Sequence, residues 1–290
     1  MLGKKTTEKE VKISYYLKNP IICPLCTTAF KREELLSGGE RLIAADLTDE
    51  LRRIYEPSKK YGEIFPLSYP ITVCPECYYA TYHDDFLLIP PKHRPMALSQ
   101  KVKRIHEVRM IFPVLDFTKP RNLVSGAASY LLSLASYSFH TRECAPTFKK
   151  GLSALRAAWT FDDLHKKDRN QGFDRFRDIL YRKAMDYYEK SVVYSQNGHE
   201  HIDGIKNFGP DLDKNYGYQG VLYMSTLLLY KYGSDEKREE RIEKLTGAKR
   251  VISKVFGSGK SSKSKPSFIL DISKELYDKV GEKVEELKGE

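Results

Sequence analysis

The sequence predicts a mainly α-helical protein that begins with a small zinc-knuckle, ribbon-like α+β module, and three observations carry that prediction. Two Cys-Pro-x-Cys motifs, Cys23 to Cys26 and Cys74 to Cys77, stand in a first segment that is poor in helical periodicity. From Asn122 onward, apolar residues recur at helical spacing almost to the end of the chain. The composition, 41% hydrophobic and 12% aromatic over 290 residues, is that of a chain able to bury a core. It excludes a disordered protein. With Gly 18 and Pro 14 it also excludes a collagen-like or linker protein.

The elements follow in order. Residues 1–91 are expected to form the knuckle module, with Ile71-Thr72-Val73 as a strand leading into the second Cys pair. Thr48 to Tyr55 reads as a short helix, with Thr48 as N-cap and Pro57 just beyond its end. Phe86 to Ile89 is a short apolar run stopped by Pro90-Pro91. Residues 92–120 form a basic connecting segment with one helix, Ser99 to Phe112, carrying Val102, Ile105, Val108 and Phe112 on one side.

Residues 121–290 read as six long helices. Asn122 caps a segment through His140, and Thr147 caps a segment containing Phe148, Leu152, Leu155 and Trp159. A third helix runs from about Phe173 to Gln196, with Gly198 as its stop. The fourth runs from Tyr216 to Tyr232, with Gly233 in the position of a left-handed cap. The last two span Asp235 to Phe256 and Ser267 to Leu287. Six amphipathic helices in series predict antiparallel pairs stacked side by side. A strict 34-residue period is absent. Small residues such as Ala154, Ala157, Ala158 and Ala184 nevertheless sit where helices would cross closely, so the expected array is tetratricopeptide-like, with a plain bundle as the alternative.

The two cysteine pairs are the most specific signal. Thiolates are soft ligands that suit zinc, and two residues between cysteines let both sulfurs reach one ion. Proline after the first cysteine fixes φ in the tight turn. Cys23, Cys26, Cys74 and Cys77 are therefore the predicted ligands of a closed, structural zinc site, with no open position for catalysis. The 47 residues between the pairs exceed the spacing of a compact ribbon, which implies an insertion. A knuckle turn wants φ > 0 after its second cysteine, yet Thr27 and Tyr78 stand there instead of glycine. A redox dithiol and four unligated core cysteines are the competing readings; the first wants a βαβ context that the sequence lacks. His83 is a weaker candidate to replace one thiolate, and the fifth cysteine, Cys144, reads as a small buried apolar residue.

Other motifs carry less. Gly257-Ser-Gly-Lys-Ser-Ser262 has neither the glycine spacing nor the preceding strand of a phosphate loop. His199-Glu-His201 reads as solvated loop, and Asp162, Asp163 and Asp168 as scattered acids. No serine, cysteine or histidine nucleophile is paired with a base in a recognisable motif, so no enzyme is expected.

Charge is uneven. Residues 101–200 carry 18 basic against 11 acidic residues, most of the chain's net +10. Between Lys92 and Arg109, six cations (Lys92, Arg94, Lys101, Lys103, Arg104 and Arg109) face one acid, Glu107. Beside a zinc module, such a segment suits phosphates; a solvated helix face is the plainer reading. Tyrosines at 187, 188, 194, 216, 218, 223, 230 and 232 suit either a binding groove or ordinary helix packing. The longest largely apolar stretch, Val221 to Tyr230, is about half a membrane span, and no apolar run backs the N-terminal charges. A cytoplasmic location is expected.

The order of motifs resembles the bacterial domain-of-unknown-function family 2225. The matching features are Cys23 to Cys26 followed by Phe30, Tyr69-Pro-Ile-Thr-Val-Cys-Pro-Glu-Cys-Tyr-Tyr-Ala80, Asp85-Phe86, and Leu155-Arg-Ala-Ala-Trp159. Tyr78 in place of the family's usual glycine and the basic insert Ser258 to Lys265 are departures. The resemblance implies zinc binding and a tetratricopeptide-like helical region. Together these readings give a non-enzymatic zinc-binding adaptor whose helical groove binds a protein partner. The alternative is a nucleic-acid-associated protein using the zinc module and residues 92–109.

Overall fold

A computed structural model describes residues 12–202, 204–234, 237–256 and 267–289. Short antiparallel strand pairs fill the N-terminal part. Strand β1 (Ser14–Tyr16) lies beside β4 (Glu33–Leu35), with β2 (Ile21–Ile22) paired to β3 (Ala29–Phe30) between them in sequence. Farther on, β5 (Ile43–Leu47) pairs with β6 (Arg53–Glu56), and β7 (Ile71–Val73) with β8 (Ala80–Tyr82). Two-stranded sheets this small are marginal in water, so they need neighbours to hold them.

The helices are α1 (Arg94–Ser99), α2 (Lys101–Ile111), α3 (Leu123–Ser136), α4 (Pro146–Lys167) and α5 (Phe173–Gln196), then α6 (Gly217–Tyr232), α7 (Arg238–Phe256) and α8 (Ser267–Gly289). From α3 on, each helix packs against the next, and α6 also meets α8. The α4–α5 pair is antiparallel: Gly151 approaches Tyr187 and Tyr188, whereas Phe161 stacks on Phe176 near the connecting turn. Likewise Thr226 of α6 reaches Ala248 of α7, and Leu229 reaches Arg241. One hydrophobic core runs from β7–β8 through α2 to α8, while Ala97 of α1 packs in a separate cluster around the cysteines.

Helix ends show how far local signals reach. Asn122 caps α3 as expected, in a reciprocal box with Ser125. Thr147, by contrast, lies inside α4, which starts after Ala145 (φ 45°). The Thr147 amide and hydroxyl donate to buried Glu200, so a distant carboxylate satisfies that helix start. Glu200 is thus no solvated loop residue, although its neighbour His201 is exposed and His199 lies against Tyr194. Gly233 is extended (φ −71°, ψ 142°) rather than left-handed, because the Arg241 guanidinium occupies the space beside it and bonds the Leu229 and Tyr230 carbonyls.

Two further corrections concern residues 48–55 and Val102. Thr48 to Tyr55 is not a helix: Thr48 to Arg52 is the turn of the β5–β6 hairpin, with Leu51 at φ 59°. Eight residues are too few for propensity to decide a helix, and the turn's contacts with α4, α5 and α6 decide otherwise. In α2, Val108 is buried and Phe112 just beyond it is too, but Val102 is 78% exposed and Arg104 takes a buried position in its place. No described helix is long and apolar enough to cross a membrane. The glycine-rich stretch Gly257–Ser262 lies outside the described residues.

Candidate metal centre

The two Cys-Pro-x-Cys motifs form turns of one design. In the first, the Thr27 amide donates to the Cys23 carbonyl (3.0 Å) and the Cys23 amide to the Thr28 carbonyl (3.0 Å). In the second, Tyr78 donates to Cys74 (2.9 Å) and Cys74 to Tyr79 (2.9 Å). Each turn sits at the tip of a hairpin, with Ile22 paired to Ala29 and Val73 to Ala80. Thr27 (φ 62°) and Tyr78 (φ 56°) take the left-handed conformation that the turn demands. A non-glycine residue there costs of order 1 kcal/mol, and here both knuckles carry that strain.

The tips meet. The sulfurs of Cys23 and Cys77 are 3.7 Å apart, those of Cys26 and Cys74 3.5 Å, and all four lie within 4.8 Å of one another. A tetrahedral ion with thiolates at about 2.3 Å sets sulfur–sulfur edges of about 3.8 Å, close to these two short separations, so the cluster could hold a metal ion. All four predicted ligand residues are thus brought together. His83 is not among them; it is exposed and pairs with Asp84 at 3.1 Å. Cys144 stands apart, half-buried, its thiol pushed up to about 11 by burial. No cysteine forms a disulfide.

The thiol electrostatics point the same way. Hydrogen bonds from Cys74 and Cys77 hold the Cys23 thiol far below its ordinary range, and the bond to Cys23 pushes Cys74 and Cys77 up in turn. Three of the crowded thiols thus push one another's ionisation in opposite directions. A divalent cation is the group that lets all four ionise together.

The walls are dry. Leu25, Tyr79, Phe86, Ile89, Ala97 and Phe139 bury the cluster, and Phe30 packs edge-on to Phe86 at 5.8 Å. The run Phe86 to Ile89 contributes its two ends to this wall and leaves Leu87 and Leu88 exposed. Tyr79 donates or accepts with His140 Nε2 at 2.9 Å, and burial lowers that imidazole to about 4.

The basic segment has a role that its charge did not announce. Helix α2 lies across the second knuckle: Lys101 pairs with Glu76, buried Arg104 bonds the Cys77 carbonyl, and Arg109 reaches the Tyr78 hydroxyl at 3.2 Å. Arg94 bonds the Ile89 carbonyl, and Lys103 pairs with Glu107 on its own helix. The acids farther on are also engaged, Asp162 with Lys166 and Arg177, Asp163 with Arg52, and Asp168 as a cap.

With two matched knuckles on the page, comparison with known proteins becomes informative. A family model described as an uncharacterized protein conserved in bacteria (DUF2225) matches residues 16–280. The chain belongs to that family. A Borreliella burgdorferi protein named only "Uncharacterized protein" is 42% identical over 278 residues, covering 96% of this chain and 99% of its own length. No solved structure matches. The family match spans both knuckles and all eight helices except the end of α8.

Sequence reasoning missed Glu50 and Arg52, and it read Arg104 only as one of six cations suited to phosphates. The first two sit in the insertion between the knuckles, where no periodicity marks them. Arg104 could have been found, since it stands four residues before Val108 and eight before Phe112, on the buried side.

Proposed function

We propose that Cys23, Cys26, Cys74 and Cys77 hold one structural zinc ion, and that the protein is a non-enzymatic adaptor whose tetratricopeptide-like helices bind a protein partner. The observation that supports the zinc reading is the pair of matched knuckle turns that bring four sulfurs within 4.8 Å of one another, two of the pairs at 3.5 and 3.7 Å. Four sulfur ligands close the coordination sphere, which leaves the ion a structural task. Stacked helix pairs with aromatic-lined faces are suited to grip a peptide or protein surface.

The nucleic-acid reading draws less support. Of the six cations between Lys92 and Arg109, Lys101, Arg104 and Arg109 are committed to the second knuckle. A groove that binds phosphates needs its cations free to release counterions.

Elemental analysis of protein purified without chelator, with a thiol count, tests the metal half. About one zinc per chain with Cys144 alone reactive is expected. Metal-free protein with two disulfides that reduce and reform would overturn it. Salt-tolerant binding of one protein partner is expected of an adaptor, and affinity for nucleic acid that collapses with salt would replace that reading.

A further inference from the structure

Residues 34–57 leave the body of the protein as an arm, and only Glu50 and Leu51 of that stretch are buried. The strands β5 and β6 stay half-buried or exposed; the tip is the arm's buried anchor, and beside it Arg52 pairs with Asp163 while the Arg53 amide bonds Asp211 (2.7 Å) and its side chain Asp213 (3.0 Å). The Glu50 carboxylate accepts from Trp159 Nε1 (2.6 Å) and the Tyr181 hydroxyl (2.9 Å) on one oxygen. Its other oxygen accepts from the Tyr232 hydroxyl (2.8 Å) and Lys231 Nζ (3.1 Å). These four donors stand on α4, α5 and α6 and use the whole accepting capacity of a carboxylate. Beside them Leu51 is fully buried in the helical core, and the Tyr223 hydroxyl bonds the Asp49 carbonyl at 2.8 Å.

This is the construction of a recognition site, with a charged anchor, an aliphatic anchor and a backbone contact, all on the helices, and with the ligand supplied by an arm. The donor set favours a carboxylate: in either orientation an amide in its place would present its N–H group to an obligate donor, Trp159 Nε1 or Lys231 Nζ. We propose that the helices carry a receptor for an acidic-aliphatic turn, Glu-Leu in character. The chain fills it in cis with Glu50-Leu51, and a protein partner presenting the same turn competes for it. The proposal rests on the adaptor reading and names its binding site. A tethered turn has a high effective concentration, so a partner binds only weakly until the tip is withdrawn.

Trp159 is the single tryptophan of the chain, and its indole N–H touches the site, so its fluorescence reports occupancy directly. The test uses the full chain carrying Glu50→Gly and Leu51→Gly, titrated with a peptide of residues 47–53. Saturable binding is expected, about tenfold tighter than to the unaltered chain, and about tenfold weakened when the peptide's glutamate is replaced by glutamine. A folded variant that binds neither peptide, or both alike, overturns the proposal.

Should that variant not fold, Glu50→Ala titrated with propionate replaces it. Propionate is expected to restore Trp159 emission and thermal stability where propionamide does not; equal effects of the two overturn the carboxylate assignment. Zinc measured in the same preparations separates the two readings. Peptide failure with zinc retained sinks the receptor alone, and absence of zinc from the unaltered chain sinks the metal reading alone.

Discussion

Arg104 donates twice to the carbonyl oxygen of Cys77, from Nε at 3.1 Å and from Nη2 at 2.6 Å, while its third nitrogen bonds the Ala97 carbonyl at 3.0 Å. The guanidinium is buried, and burial holds its pKa below the ordinary arginine range, an effect that the neighbouring Cys77, Cys23 and Cys74 sulfurs only partly offset. A divalent ion with four thiolates carries a net charge of about −2. Arg104 supplies a fixed positive charge at its rim, and in doing so it locks the second knuckle.

Replacing that arginine follows directly. Arg104→Leu leaves the Cys77 carbonyl unpaired and the metal site under-neutralised. We expect zinc to be lost to a competing chelator about 10–100-fold more readily than from the unaltered protein. Arg104→Lys, which keeps charge but not the fork, should fall between the two. Chelator competition followed by absorbance measures it, and unchanged zinc retention in Arg104→Leu would refute the role.

Cys74→Ser removes one of the four sulfurs of the proposed zinc site. Structural zinc binding contributes roughly 10–16 kcal/mol to the folding of small modules, so the knuckles should lose order. The helices contribute most of the core, although Ile71, Val73, Tyr78, Ala80 and Tyr82 of the second knuckle share it, so far-UV circular dichroism should stay near that of the unaltered protein while the residues around the two knuckles become protease-sensitive. A metal-free mutant as protease-resistant as the parent contradicts this.

Gly126→Ala sets two effects against each other. Alanine favours a helix interior by about 1 kcal/mol over glycine. A Cβ at 126, however, would stand 2.8 Å from the backbone Cα of Ser68 and 2.7 Å from its Oγ. The backbone cannot give way cheaply, so overpacking of about 1–3 kcal/mol wins and the substitution destabilises. Denaturant unfolding measures it; a stabilised variant would show that the 66–68 turn moves freely.

His140 gives a pH dependence with a definite sign. Its folded value, about 4, lies below the ordinary 6.5 because burial outweighs Asp85, with Lys149 and His93 also disfavouring the charge. Between those values the unfolded chain binds the extra proton. Stability from this group is therefore fully present above pH 6.5 and is lost as pH falls toward 4, up to about 3 kcal/mol. Comparing His140→Asn with the parent isolates it, since acid release of a metal affects both. Equal slopes between pH 6.5 and 4 in the two proteins would remove the assignment.

What the sequence disclosed and what it withheld divide along physical lines. Thr27 and Tyr78 were marked as positions needing φ > 0 because the knuckle dictates its own backbone, and the structure places both there. Helix α5 was legible because Phe176, Leu180, Ala184 and Tyr187 repeat at helical spacing over about three of its turns. The turn at Thr48 to Arg52 was not legible, since its shape is imposed by Trp159, Tyr181, Lys231 and Tyr232, more than a hundred residues away. Thr147 failed as a cap for the same reason: Glu200 arrives from elsewhere in the chain. Local rules hold where local energies decide, and long-range carboxylates overrule them.

The 47-residue excursion between the knuckles is fastened at both ends by the cysteine cluster and near its middle by Glu50. Three fixed points turn one long loop into two shorter ones, each of which closes at a lower entropic cost than the whole. Between these fastenings Ser37 to Glu40 is exposed, tied by Arg41 to the Gly38 carbonyl and with nothing within 4 Å of a side chain built at Gly38. Length can be added there without disturbing either fastening, which makes this bend the place to insert a fluorophore or an epitope and watch the arm leave its seat.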